Sequence, residues 1–152
     1  MSKWIWITIA VLLIGLAAYS AVCPCGPTPG LYLWGATSEE PVDDWSFVDE
    51  VKYCQLEVQT WRPHSITLNC MADDDGTLYI SCSQCANKSW SQTAVDNGVG
   101  RIRAGDLIYP VSLTRVTDPA ELDHAWLTRA DKVKREPSPR PDHWWSFRLS
   151  SM

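Results

Sequence analysis

Hydrophobic residues fill the first part of the chain without a break. Residues 4–22 carry no charge, and their polar interruptions are Thr8, Tyr19 and Ser20. About twenty such residues, rising about 1.5 Å each in a helix, can cross the hydrocarbon core of a bilayer. We therefore expect a transmembrane anchor over residues 1–22. The alternative is a signal peptide, cleaved or uncleaved, for which the chain has a poor cleavage site.

The positions of lysine and arginine predict how this span is oriented. Lys3 is the only basic residue before Lys52. The positive-inside rule then favours a cytoplasmic N-terminus, so we expect a single-pass membrane protein whose domain is exported, to the periplasm or the extracellular side. A Pro- and Gly-rich stretch at residues 23–42 is typical of a linker. Residues 43–152 are enough for one small domain with its own core.

Alternation with a period of two predicts strands from residue 55 onward. Apolar side chains recur at every second position in residues 55–60, 65–71 and 77–83. This pattern indicates strands with one buried and one solvated face, and Glu57 falls on the solvated face of the first. Because short turns join the three segments, we expect an antiparallel meander.

The second half of the domain mixes helices with further strands. Strands are predicted at residues 99–104, 107–116 and 143–151, and helices near residue 43, at 87–97 and at 118–134. The last helix has Asp118 as its N-cap, with Pro119 in the first turn and Glu121 at the capping-box position. The sum is a mainly β (α+β) domain of six antiparallel strands with two or three short helices. Such a set favours a closed or partly closed barrel.

The charge distribution excludes one class of partner. The formal net charge is −5, and residues 39–50 contain acidic side chains without a single base. Proteins that bind nucleic acid gain most of their affinity by neutralising phosphates with lysine and arginine. We therefore expect no nucleic-acid partner.

The segments PHSITLNCMADDDGTLYISCS, NKSW and DNGVGRIRAGDLIYPVSLTRVTDPAEL occur in this order between residues 63 and 122. Their order and spacing resemble the split β-barrel flavin-binding superfamily. This pyridoxamine-phosphate-oxidase-like group includes the deazaflavin-dependent nitroreductases. The likeness extends over roughly residues 55–148. It implies a six-stranded antiparallel split β-barrel, FMN or a deazaflavin as cofactor, an oxidoreductase activity and a homodimer.

The same resemblance implies a set of cofactor-binding residues on the second strand and on the loop after the third. These residues are Arg62, His64, Ser65, Thr67, Ser81, Ser83 and Lys88, with Trp90 packing nearby. His64 stands where the family usually carries an arginine, and a neutral imidazole is a weaker phosphate partner. Lys88 has the alternative of an exposed lysine at a helix start, and Ser65 and Thr67 that of ordinary outward strand residues. Arg101 and Arg103 are expected to face solvent.

Six cysteines in an exported domain favour disulfides. A bridge between Cys54 and Cys70 fits the predicted hairpin, and a buried free thiol is the alternative. Cys82 and Cys85 have three interpretations: a zinc site shared with the CPC motif at residues 23–25, a redox pair, or a local structural disulfide or inert thiols. We favour the last, and we predict no metal site.

The leading functional hypothesis is a membrane-anchored domain that binds a flavin-type cofactor and acts as an oxidoreductase on a small molecule. In such enzymes the cofactor carries the electrons, so the sequence names no general acid or base. One alternative is a cofactor-free, exported binding or assembly module with a membrane protein partner. Another is a thiol–disulfide protein. Whether the chain is an enzyme stays open at this point.

Overall fold

The computed structural model describes residues 3–22, 29–58 and 63–152, and side chains of the first helix as far as Tyr19. The strands are β1 Cys54–Val58, β2 His64–Leu68, β3 Cys70–Ala72, β4 Leu78–Ser83, β5 Val99–Ala104, β6 Leu107–Arg115 and β7 Trp144–Ser151. The α-helices are α1 Lys3–Val22, α2 Ser89–Asn97 and α3 Pro119–Lys132, and the 3-10 helices are Ser46–Glu50 and Cys85–Asn87.

All seven strands form one antiparallel sheet with the order β2-β1-β5-β6-β7-β4-β3. Its two edge strands, β2 and β3, are consecutive in the chain and are separated by Asn69 alone. A disulfide between Cys54 of β1 and Cys70 of β3 also joins the two sides, with the Cα atoms 5.7 Å apart. The sheet therefore curls into a half-barrel.

The predicted mainly β (α+β) class with an antiparallel sheet is confirmed, and the predicted strand count is one too low. Residues 65–71 alternate as one strand would, but Leu68 pairs with Cys54 of β1 and Cys70 with Ile80 of β4. The chain changes partners at Asn69, so this one predicted segment supplies both edge strands. Alternation reports which face is buried and carries no information on which strand is the neighbour.

The core lies inside the curled sheet. Leu56, Ile80 and Ile102 are fully buried there, as their alternation predicts, and Phe147 is buried with them. Trp45 and the 3-10 helix after it add side chains to the same cluster. Together these apolar residues supply the main driving force for closing the sheet.

The start of α3 and the end of α2 are as the sequence predicts, whereas α2 begins two residues later and α3 ends two residues earlier than predicted. The side chain of Asp118 accepts a hydrogen bond from the Glu121 amide at 2.9 Å, which caps α3. Gly98 ends α2 with a φ of 64°, a left-handed conformation that glycine adopts without steric cost. A second apolar cluster, which includes Tyr79 and Trp144, forms where α3 packs against the outside of the sheet.

The first helix is present, but the predicted membrane span is wrong. Among the residues that the structure describes, no helix has both the length and the apolarity to cross a bilayer. The single-pass topology, with its cytoplasmic N-terminus and exported domain, was predicted from this span, and that prediction is therefore wrong as well.

Part of the predicted linker packs on the sheet. Residues 30–38, which we call the strap, run across the outer face from β2 to β6. Gly30 exchanges two backbone hydrogen bonds of 2.9 Å with Ser65. At the other end, the Ser38 amide donates to the carbonyl of Ile108 at 2.8 Å, and Leu33 between them is 3% exposed. The predicted domain boundary at residue 43 stays a prediction, although the packed unit includes the strap.

The strap also changes the environment of the polar residues beneath it. Glu57, predicted on a solvated face, is only 2% exposed because the strap covers it. Arg101 and Arg103, predicted to face solvent, are half-buried and donate hydrogen bonds to the carbonyls of Leu33 and Trp34.

Candidate functional site

An open cleft lies where the two edges of the curled sheet separate. β3 pairs only with Leu78–Ile80 of β4, so β4 continues past it through Ser81–Ser83 while β2 turns away to pair with β1. The cleft between them has a volume of about 530 Å³. The residues that line it are Pro29, His64, Ile66, Thr67, Leu68, Asn69, Ser81, Cys82, Asn87, Lys88, Ser89 and Trp90.

One wall of the cleft is the start of α2. Lys88 occupies the N-cap position, and its side chain makes no capping hydrogen bond. The first amides of an α-helix have no acceptor within the helix and carry partial positive charge. Lys88 and the first residues of α2 therefore share one wall, where an anion is favoured.

The remaining surface of the cleft combines apolar and neutral polar groups. Ile66, Leu68 and Trp90 are apolar lining residues, and Thr67 and Ser81 are lining residues that carry hydroxyls. Trp90 is 6% exposed, and its ring centroid lies 5.8 Å from that of Phe147, which fixes it against the core. Among the lining residues that the structure describes, none is acidic. A negatively charged group meets no carboxylate repulsion from these side chains.

His64 contributes no full charge to the cleft at neutral pH. Burial lowers the pKa of its imidazole below the ordinary value of 6.5, because the charged form loses solvation. Lys88 is then the one full positive charge among the described lining residues. A phosphate monoester carries about −1.5 to −2 at pH 7, so the cleft neutralises it only in part.

The structure brings five of the eight predicted site residues into this cleft: His64, Thr67, Ser81, Lys88 and Trp90. Ser65 is fully buried and pairs through its backbone with Gly30 of the strap, and its hydroxyl has no hydrogen-bond partner among the residues that the structure describes. Ser83 is exposed and is not among the lining residues. Arg62 lies outside the described residues. Cofactor binding by any of the eight stays a prediction.

Several lining residues were absent from the sequence-based set. Asn87 and Ser89 flank Lys88 in the chain, so the prediction of Lys88 as a site residue could also have indicated these two. Asn69 could have been found only from the exchange of partners between β2 and β3. Pro29 lies in the predicted linker, where no pattern indicates contact with a strand.

Cys82 and Cys85 form a disulfide at the edge of the cleft, with Cα atoms 5.6 Å apart. This is the bridge that the local structural interpretation predicted. The two cysteines are bonded to each other, and no group of ligands suited to a metal ion occurs among the residues that the structure describes. Cys23 and Cys25, which the zinc alternative requires, lie outside those residues.

No protein-family model matches the chain, and no curated protein matches it. A "putative pyridoxamine 5'-phosphate oxidase" from Listeria innocua has a TM-score of 0.55 at 12% identity, covering 68% of this chain and 86% of its own. A NimC/NimA family protein from Clostridium acetobutylicum has a TM-score of 0.51 at 12% identity, and the match covers 68% of this chain and 76% of that protein. At this identity the likeness shows the fold alone, and at that level it confirms the resemblance that the sequence predicted.

Proposed function

We propose that the cleft binds a phosphate-bearing flavin-type cofactor, FMN or a deazaflavin, and that the chain is an oxidoreductase acting on a small molecule. One observation carries the proposal: Lys88 and the N-terminus of α2 line the same cleft as Thr67, Ser81 and Trp90. Cationic and hydrogen-bonding groups suit a phosphate, and an apolar surface suits a planar ring.

The dimensions and chemistry of the cleft fit such a group. Its volume of about 530 Å³ falls within the range of about 300–1,000 Å³ that ligand sites occupy. Lys88, the first amides of α2 and the two hydroxyls would hold the phosphate, and Ile66, Leu68 and Trp90 would contact the ring. When bound, the cofactor supplies two-electron transfer, and the chain's own residues bind and orient it.

The single lysine sets the expected character of binding. With Lys88 as the one charged partner among the described residues, affinity should be moderate and should fall as salt is added. At neutral pH, His64 would offer a hydrogen bond to the ligand and no charge.

A fluorescence titration of the full chain with FMN, a deazaflavin and riboflavin tests the proposal. We expect FMN to bind and riboflavin, which lacks the phosphate, to bind more weakly. Lys88→Ala should weaken FMN about tenfold, the value of one charge-assisted hydrogen bond, and leave riboflavin unchanged. The matched control is Lys52→Ala, which removes an exposed lysine outside the cleft. The proposal fails if neither flavin nor deazaflavin binds, or if the two variants lose FMN affinity equally.

A second candidate is a cofactor-free module that binds a protein partner. The observation in its favour is the low positive charge of the cleft. An uncharged His64 stands where the family usually carries an arginine, and Lys88 is the one described lining residue whose charge would neutralise a phosphate. A protein that takes up no flavin but captures one partner reproducibly, with capture lost in Trp90→Ala and kept in Lys52→Ala, would favour this function.

A further inference from the structure

We propose that the Cys82–Cys85 disulfide is a redox site of the cleft. A dithiol reductant reduces it in the folded protein, and its reduction releases the loop that carries Lys88. The predicted effect on cofactor affinity rests on the proposed function, whereas the reduction and the release of the loop do not.

The first argument is access. Cys82 lines the cleft and is 8% exposed, whereas Cys85, Cys54 and Cys70 are each 0% exposed. A thiolate must reach a disulfide sulfur to attack it, and exposed disulfides are the labile ones. Of the two described bridges, only this one has a cysteine that lines the cleft, so a reductant would approach it at Cys82.

The chemistry is a balanced exchange. A thiolate of the reductant bonds to the Cys82 sulfur, the bond between Cys82 and Cys85 breaks, and Cys85 leaves as a thiolate. The second thiolate of the reductant then bonds to the first sulfur of the reductant and releases Cys82. The reductant ends as a disulfide, the two cysteines gain two electrons, and the two protons of the dithiol end on their thiolates.

The second argument is the coupling of this bridge to Lys88. Gln84, between the two cysteines, has a φ of 54°, a left-handed conformation that is unfavourable for a residue with a side chain. The carbonyl of Cys85 accepts hydrogen bonds from the Lys88 amide at 3.0 Å and from the Ser91 hydroxyl at 2.5 Å. Opening the bridge frees Gln84 to leave this conformation, and a shift of Cys85 moves the first turn of α2.

The other bridge serves as an internal control. Cys54 and Cys70 join two sides of the sheet across a sequence separation of 16, and Cys82 and Cys85 are separated by 3. Closing a longer loop restricts the unfolded chain more. The buried bridge is thus structural, and the cleft bridge can open at less cost to the fold.

The test begins with graded reduction of the full chain by dithiothreitol, followed by alkylation and peptide mass spectrometry. We expect Cys82 and Cys85 to be alkylated first, at concentrations that leave the near-ultraviolet circular dichroism unchanged and Cys54 and Cys70 unlabelled. The proposal would be overturned if all four cysteines were alkylated at the same reductant concentration. It would also be overturned if Cys82 and Cys85 were alkylated only at concentrations that abolish the dichroism signal.

Hydrogen exchange then compares the oxidised and the selectively reduced protein. Amides of residues 84–91 should exchange faster after reduction, and those of β1 and β3 should not change. Cys82→Ser combined with Cys85→Ser should reproduce the reduced pattern. Equal protection in the two forms would show that the bridge does not hold the loop, and the proposal would be wrong.

An FMN titration of both forms separates this proposal from the proposed function. We expect about tenfold weaker binding by the reduced form, equal to the loss of the Lys88 contact. Equal FMN affinity in both forms overturns the link between the bridge and the cleft. If neither form binds FMN, the proposed function fails, and labelling and exchange still decide the redox site.

Discussion

Arg101 donates two hydrogen bonds to the carboxylate of Glu57, at 2.6 and 3.2 Å, from β5 to the neighbouring β1. The same two side chains hold the strap. Glu57 accepts from the Leu33 amide at 2.6 Å, and Arg101 donates to the Leu33 carbonyl at 3.2 Å. One ion pair thus satisfies both backbone groups of a buried residue in a segment that has no regular secondary structure.

Glu57→Gln should destabilise the protein by about 1–3 kcal/mol, because it leaves Arg101 without its counter-charge. The loss should be smaller than for a fully buried pair, because the Arg101 side chain is 25% exposed. Urea denaturation measures this change in the free energy of unfolding, and Glu39→Gln, at an exposed carboxylate, is the control. A loss no larger than that of the control would mean that the strap does not depend on this pair.

Lys132→Met should destabilise the protein by about 2–4 kcal/mol, since among the described residues it leaves the carbonyls of Asp49 and Val51 without a donor. The carbonyl of Val48 loses one of two donors, because the Val51 amide also binds it at 3.0 Å. The Nζ of Lys132 lies 2.6, 2.7 and 2.8 Å from the carbonyl oxygens of Val48, Asp49 and Val51. Thermal unfolding gives the change, and Lys134→Met is a matched control because Lys134 is exposed. Equal melting temperatures for the two variants would contradict this role.

The sequence predicts elements that depend on local patterns. Alternation locates β1 and β4, and the Asp118 cap and Gly98 fix helix ends through side-chain and backbone chemistry within a few residues. Five of the predicted site residues meet because they lie on two stretches of chain that border the same cleft: β2, and the run from the end of β4 through the following loop into α2.

The features that the sequence does not predict depend on contacts between distant segments. Glu57 is a polar residue in an alternating strand, which normally indicates solvent, and only the strap, 24 residues earlier at Leu33, buries it. The partner exchange at Asn69 leaves the alternation of residues 65–71 intact. Neither the strap nor this exchange produces a periodic signal that a single sequence could reveal.

Tyr79 should remain un-ionised until the pH approaches 12. Burial, and then the charges of Glu121 and Asp73, raise its pKa to about 12 from the usual 10, partly offset by Arg148. Absorbance at alkaline pH, taken as the difference between the wild type and Tyr79→Phe, measures this ionisation. Glu121→Gln should lower the pKa. Since the folded pKa exceeds the unfolded one, this tyrosine should reduce stability as the pH rises from about 10 to 12.

His64 should make the stability of the protein fall as the pH drops below about 6.5, the value for an unfolded histidine. Burial lowers its folded pKa, so between the two pKa values the unfolded chain binds the extra proton and the folded chain does not. The contribution is therefore fully present above the unfolded pKa and is lost as the pH falls to the folded one. Denaturation midpoints at several pH values should show this for the wild type.

The control for His64 is the variant His64→Gln, which keeps a polar side chain and cannot titrate in this range. Its stability should change less than that of the wild type over the same interval, and an NMR titration of the imidazole gives the folded pKa directly. Below that pKa the protonated ring adds a second positive charge to the cleft beside Lys88. An NMR pKa at or above 6.5, or equal pH profiles for the two proteins, would show that burial does not control this histidine.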